Sequence, residues 1–217
     1  MFATAIIVAF GITAFMAIGQ AEQDLKPLSA KLSGRLQKLW GIAQSGMREK
    51  KYLRAEKALL TILKLDQKNA AAYNRLGILY SRQKEYKDAI ECFEIASSIQ
   101  PSSSSLHNLG LIYYETENYE KAAHAFEHAL EMEDTLAARH IAYAKVQEKL
   151  GNTNKMLTAL ENAVEQEPKA QTIKLLSEAY EREGHTEEAK KMRARLNRAT
   201  KSKRKQLRIK RPNRVIY

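Results

Sequence analysis

An all-α array of about five helical hairpins, preceded by one transmembrane helix, is the fold class that this 217-residue sequence predicts. Three observations carry that expectation. Small and aromatic residues recur every 33 or 34 positions, an uncharged apolar run opens the chain, and only four prolines and nine glycines are present to make loops.

The apolar run is FATAIIVAFGITAFMAIG, residues 2–19, with its first following charge at Glu22. As a helix it reaches about 27 Å, close to the hydrocarbon thickness of a bilayer. A cleaved signal peptide is the rival, since Ala17-Ile18-Gly19 offers small residues, but no Lys or Arg precedes the run. Residues 1–21 are therefore expected to be an uncleaved anchor. Lys26, Lys31, Arg35 and Lys38 follow it closely, which places the remainder of a single-pass membrane protein on the cytoplasmic side. Leu25, Leu28, Leu32, Leu36 and Leu39 then recur at helical spacing, so a juxtamembrane helix is expected over 22–35, with Pro27 in its first turn and a bend allowed at Gly34.

The repeats follow over 36–197. Gly77, Tyr80, Ala89, Phe93 and Ala96 reappear 33 residues later as Gly110, Tyr113, Ala122, Phe126 and Ala129. Tyr52 and Ala55 precede Tyr86 and Ala89 by 34, and Gly151 and Gly184 are again 33 apart. Pro101 and Pro168 stand where a second helix should stop. One hairpin cannot bury both its faces, so neighbours must stack to form a core. Hairpins are expected near 36–69, 70–102, 103–136, 137–169 and 170–197. Gly77, Ala89, Gly110 and Ala122 should lie at helix crossings, and Gly151 and Gly184 in turns of positive φ.

These residues resemble the tetratricopeptide repeat family. YNRLGILYSRQKEYKDAIECFEIASSIQP (73–101) follows that pattern nearly throughout, and LHNLGLIYYETENYEKAAHAFEHALEMED (106–134) follows it with Asp134 in place of proline. The first segment has Lys50 at its turn instead of glycine, and the fourth has Met156 where alanine is usual. The resemblance covers about 160 residues and implies a right-handed superhelix whose first helices line a concave groove. It implies protein–protein interaction and names no partner. The groove positions are Trp40, Gln44, Asn74, Ile78, Ser81, His107, Asn108, Leu111, Tyr114, Ile141 and Lys145. Such a mixed surface suits an extended peptide or a helix. Some members clamp the carboxylate end of chaperone tails. Asn108 matches that clamp, but Ala138 and Ala142 stand where its Lys and Arg are needed.

Chemistry is sparse. His124, Glu127 and His128 match an H-x-x-E-H zinc-hydrolase pattern, but Phe126 and Ala129 mark the same stretch as a repeat helix. No phosphate loop, nucleophile elbow or zinc knuckle appears, and Cys92, the only cysteine, reads as structural. The expectation is a protein that is not an enzyme and needs no cofactor. A metal-dependent hydrolase at the HAFEH helix is the least favoured reading.

The net charge of +11 is concentrated at the end. Residues 198–217 hold nine basic and no acidic side chains, whereas the remaining residues sum to +2. Lys203, Arg204, Lys205, Arg208, Lys210 and Arg211 are the expected contacts to an anionic surface, with lipid headgroups and RNA as the candidate ligands. The sequence thus predicts a membrane-anchored cytoplasmic adaptor with a protein or peptide partner. The alternative is a nucleic-acid- or ribosome-associated protein acting through the tail.

Overall fold

The structure, a computed structural model, describes residues 31–209. The expected span at 2–19, most of the juxtamembrane segment, and Lys210 and Arg211 lie outside them. Among the described residues all regular structure is helical, and no helix is long and apolar enough to cross a membrane. Ten helices follow in order: α1 (31–48), α2 (Tyr52–Leu65), α3 (Ala70–Gln83), α4 (Tyr86–Ile99), α5 (Ser103–Glu115), α6 (Tyr119–Met132), α7 (Ala137–Lys149), α8 (Thr153–Gln166), α9 (Ala170–Arg182) and α10 (Thr186–Ile209). Helix α1 runs unbroken through Gly34, and α10 continues past residue 198 into the basic segment.

Two turn types alternate along the chain. Within a hairpin, the turn residue is left-handed: Lys50 (φ 58°), Lys84 (64°), Glu117 (60°), Gly151 (73°) and Gly184 (79°). The next N–H returns to the carbonyl five residues back, as in Asn118 N–H to Tyr113 O at 2.8 Å and His185 N–H to Tyr180 O at 2.9 Å. This satisfies carbonyls that the helix end leaves open. Between hairpins the chain is extended instead, at Asp66, Gln100, Glu133 and Glu167. Gln100 and Glu167 each precede a proline, which disfavours helical backbone at that residue. Asn69 and Ser102 then cap α3 and α5, their side-chain oxygens accepting from the N–H of Ala72 (2.9 Å) and Ser105 (3.1 Å).

The turn geometry has a direct test. A side chain in left-handed backbone costs about 1–2 kcal/mol, and glycine avoids that cost while adding about 0.5–1 kcal/mol of unfolded-chain entropy. Gly151→Ala and Gly184→Ala should each destabilise by about 1 kcal/mol. Lys84→Gly and Glu117→Gly should be neutral or raise the urea midpoint slightly.

The chain forms two compact units divided after Leu79. In the first, Ala43, Ala55, Leu59, Ile62, Ala72, Leu76 and Leu79 are buried. Gly46 lets α1 meet α2, because a Cβ there would lie 3.0 Å from the Ala55 Cβ. In the second unit successive helices from α4 to α10 pack in sequence, and α5 also meets α7. Phe93 and Phe126 are fully buried, and Gly110 receives the Phe126 ring, whose atoms would lie 2.9 Å from an added Cβ. The core then runs through Met156, Leu160, Val164, Ile173, Leu176 and Tyr180 to Ala189 of α10.

Candidate functional site

The first helices of the second unit are held in register by a repeated bond from a tyrosine to the second helix of the hairpin before. Tyr113 Oη donates to Glu94 at 2.6 Å, Tyr143 to Glu127 at 2.6 Å, and Tyr180 to Glu161. Tyr113 and Tyr180 occupy the same repeat position. In α7 that position is Gln147, which is buried and accepts from Asn152 at 2.8 Å, and Tyr143, one turn earlier, supplies the phenol instead. Burial first, and the adjacent carboxylate second, raise all three phenols above their ordinary range. They remain protonated donors at neutral pH.

Glu127 is held below its ordinary value of 4.5, chiefly by the Tyr143 hydrogen bond, with Lys155 adding to it. A depressed folded-state value means stability that is present above pH 4.5 and lost as pH falls through the folded value. Wild type should therefore lose stability faster than Glu127→Gln on acidification from about pH 6 to pH 3. Tyr143→Phe should shrink that difference. Equal slopes in paired urea titrations would contradict the assignment.

The same bonds bear on the HAFEH stretch. His124 and His128 are exposed on α6, with His124 Nδ1 3.8 Å from Glu127, but the Glu127 carboxylate is already engaged by Tyr143 and Lys155 (3.4 Å). A low-pKa carboxylate tied to two donors is a poor general base. Among the described residues no three His, Cys, Asp or Glu side chains are placed to share a cation. Cys92 is buried, and burial pushes its thiol up to about 12, far from a reactive thiolate.

The groove positions can be followed one unit at a time. In the first, Trp40 is half-buried beneath the Arg75 guanidinium, 5.1 Å from the ring centroid. Gln44 is exposed, Asn74 and Ile78 are half-buried, and Asn74 Oδ1 has no hydrogen-bond partner. In the second, Ser81, Asn108 and Tyr114 are half-buried and Leu111 is exposed. Tyr114 packs edge-on against Tyr119, and His107 edge-on against Phe126 at 5.4 Å. Burial, and then the Arg139 charge, hold His107 below its ordinary value, so it is neutral at pH 7.

Ile141 and Lys145 do come together, in a cavity of about 480 Å3. Its walls are Ile141, Lys145 and Glu148 of α7 and Leu175, Glu178 and Arg182 of α9, and its floor is Met156 and Leu160 of α8. An Arg182–Glu148 ion pair crosses the rim. The groove expected from the sequence ends at Lys145 and lacks the α8 and α9 side chains. Glu178 was within reach, since it lies one repeat of 33 beyond Lys145. Leu160 carried no such signal, because it looks like any other core residue of a second helix, and Met156 stood out only as a bulky residue where alanine is usual.

Paired helices with alternating left-handed and extended turns give an all-α arrangement of helical hairpins like that of tetratricopeptide repeats. Residues 68–135 match the tetratricopeptide repeat family model. The crystal structure of MamA is similar at a TM-score of 0.69 and 22% identity, covering 76% of this chain and 97% of that one. MamA 41-end from Desulfovibrio magneticus RS-1 gives 0.67 and 15%, covering 79% and 97%. YrrB, described as a TPR protein with an unusual peptide-binding site, gives 0.61 and 21%, covering 71% and 80%. At these identities the likeness speaks to the fold. Comparison with curated proteins finds no match.

Proposed function

We propose that this chain is a membrane-anchored scaffold that receives an extended peptide or helix along its first helices. The cavity between α7 and α9 carries the reading. It has an apolar floor for an anchoring side chain, and Lys145, Glu178 and the Arg182–Glu148 ion pair put charge of both signs at its walls for polar groups of a partner. YrrB's peptide site, on a similar fold, lends support. The apolar run at 2–19 acts as the anchor, the repeats are cytoplasmic, and the basic segment from 198 onward contacts anionic surfaces.

The test selects peptides on the full-length chain in detergent micelles and then compares variants. Lys145→Glu and Glu178→Lys should each weaken selected peptides about tenfold, or about 1.4 kcal/mol. Replacing Lys203, Arg204, Lys205, Arg208, Lys210 and Arg211 by Gln should leave peptide affinity unchanged and reduce binding to anionic vesicles. Peptides indifferent to both charge reversals would sink the groove reading. Loss of RNA binding, rather than vesicle binding, in the six-Gln variant would favour a nucleic-acid role for the tail.

A further inference from the structure

The near-neutral body of the chain hides an internal asymmetry. Residues 31–79 carry 11 basic and 3 acidic side chains, whereas residues 80–197 carry 15 basic and 20 acidic. All 11 of those basic residues are exposed. The same stretch holds Leu32, Leu53, Leu60 and Leu65, four of the seven exposed large apolar side chains among the described residues. Nine of the 11 basic residues and all four leucines lie within 31–65, so cationic and apolar exposure are concentrated together on the hairpin of α1 and α2.

Helical spacing puts them on one face. Leu53, Lys57, Leu60 and Lys64 recur at i, i+4, i+7 and i+11 along α2, and Leu53 is 64% exposed. Leu53, Arg54 and Lys57 share an open groove of about 450 Å3 with Leu39 and Ile42 of α1. The later hairpins treat these positions differently. Where α2 has Leu60, the following second helices have Glu94, Glu127 and Glu161, each accepting a tyrosine hydroxyl. Where α2 has Lys64, they have Ser98, Glu131 and Glu165.

We propose that this Leu–Lys/Arg face of α1 and α2 docks on an anionic lipid surface. Alternating leucines and cations match a headgroup layer, where apolar side chains enter the acyl boundary and cations meet phosphates. A nucleic acid would use the cations but give the leucines nothing. A bilayer is favoured over an acidic peptide by position in the chain. Only residues 20–30 separate the apolar run from α1, a distance of at most about 40 Å when extended. That proximity rests on the proposed anchor, but the docking face does not, and the two fail separately.

The test uses the full-length chain with Cys92→Ser and an environment-sensitive fluorophore on Leu53→Cys, with a control label on exposed His124→Cys. With vesicles of about 30 mol% anionic lipid, the emission at residue 53 should shift to the blue. That shift should vanish at about 1 M salt, where screening reaches only about 3 Å. It should also vanish in Arg54→Glu/Lys57→Glu/Lys64→Glu, whose far-UV ellipticity should match the parent. The label at 124 should stay unchanged. Flotation with neutral vesicles reads the anchor independently. A protein that floats with neutral vesicles but shows no anionic response at residue 53 overturns the docking and leaves the anchor standing. A response at residue 53 in a protein that fails to float with neutral vesicles supports the docking and removes the anchor. A shift with RNA or polyglutamate, and none with vesicles, also overturns the proposal.

Discussion

Phe126→Ala should lower unfolding stability by about 3–5 kcal/mol, the range for emptying a fully buried aromatic site. The ring is 0% exposed, fills the space over Gly110 and meets His107 edge-on. The opposite fault comes from the glycine side. A Cβ at Gly110 would lie 2.9 Å from the fully buried ring, closer than carbon atoms tolerate, so one of the two must shift. Gly110→Ala should cost about 1–3 kcal/mol by overpacking. The two errors share one space, so the double variant should cost clearly less than the sum of the singles. Urea unfolding of all four proteins closes that cycle, and simple additivity would refute the contact.

Arg139→Ala is the second large expected effect, at about 2–4 kcal/mol from the void left by the stem. Among the described residues Arg139 is the bulkiest fully buried side chain, 1% exposed, at a position filled by Ser105 in α5 and Thr172 in α9. Its guanidinium donates to the Glu133 carbonyl, as Thr172 Oγ1 donates to the Glu167 carbonyl at 2.7 Å. His140 Nε2 meets the Asp134 carbonyl at 2.7 Å, so the linker between α6 and α7 is tied down twice. The Glu133 carboxylate also pairs with Arg139 at 3.2 Å but is half exposed, so Glu133→Gln should change stability little. Arg139→Met keeps most of the stem volume and should cost only about 1–2 kcal/mol for the lost carbonyl bond. It should also move the His107 titration upward in NMR, because a nearby cation has gone, though burial will still hold it low.

Helix type and hairpin spacing were legible because a repeat writes its packing constraints over and over. Gly110 and Phe126 are conspicuous in the sequence for the same reason that they touch: one is small so that the other fits. Pro101 and Pro168 marked the extended linkers, and Gly151 and Gly184 the left-handed turns. At Lys84 and Glu117 the same backbone carries ordinary side chains, and nothing local announces it. There the Schellman bonds of the turn override residue preference.

The candidate site was legible only in part. Ile141 and Lys145 could be placed on a first helix by period alone. Their cavity exists because Met156 and Leu160 rise from α8 and Glu178 and Arg182 approach from α9. Arg139 offers the sharper contrast, since a lone arginine in an amphipathic helix reads as solvated until its carbonyl partner is seen six residues back. The sequence by itself determined the helices, their pairing length and the segregation of charge, because each depends on residue type at a fixed spacing. Only the tertiary structure decided which polar groups are buried, which tyrosine takes each glutamate and where a cavity opens. Those outcomes depend on distances between side chains on different helices, and no one-dimensional period encodes them.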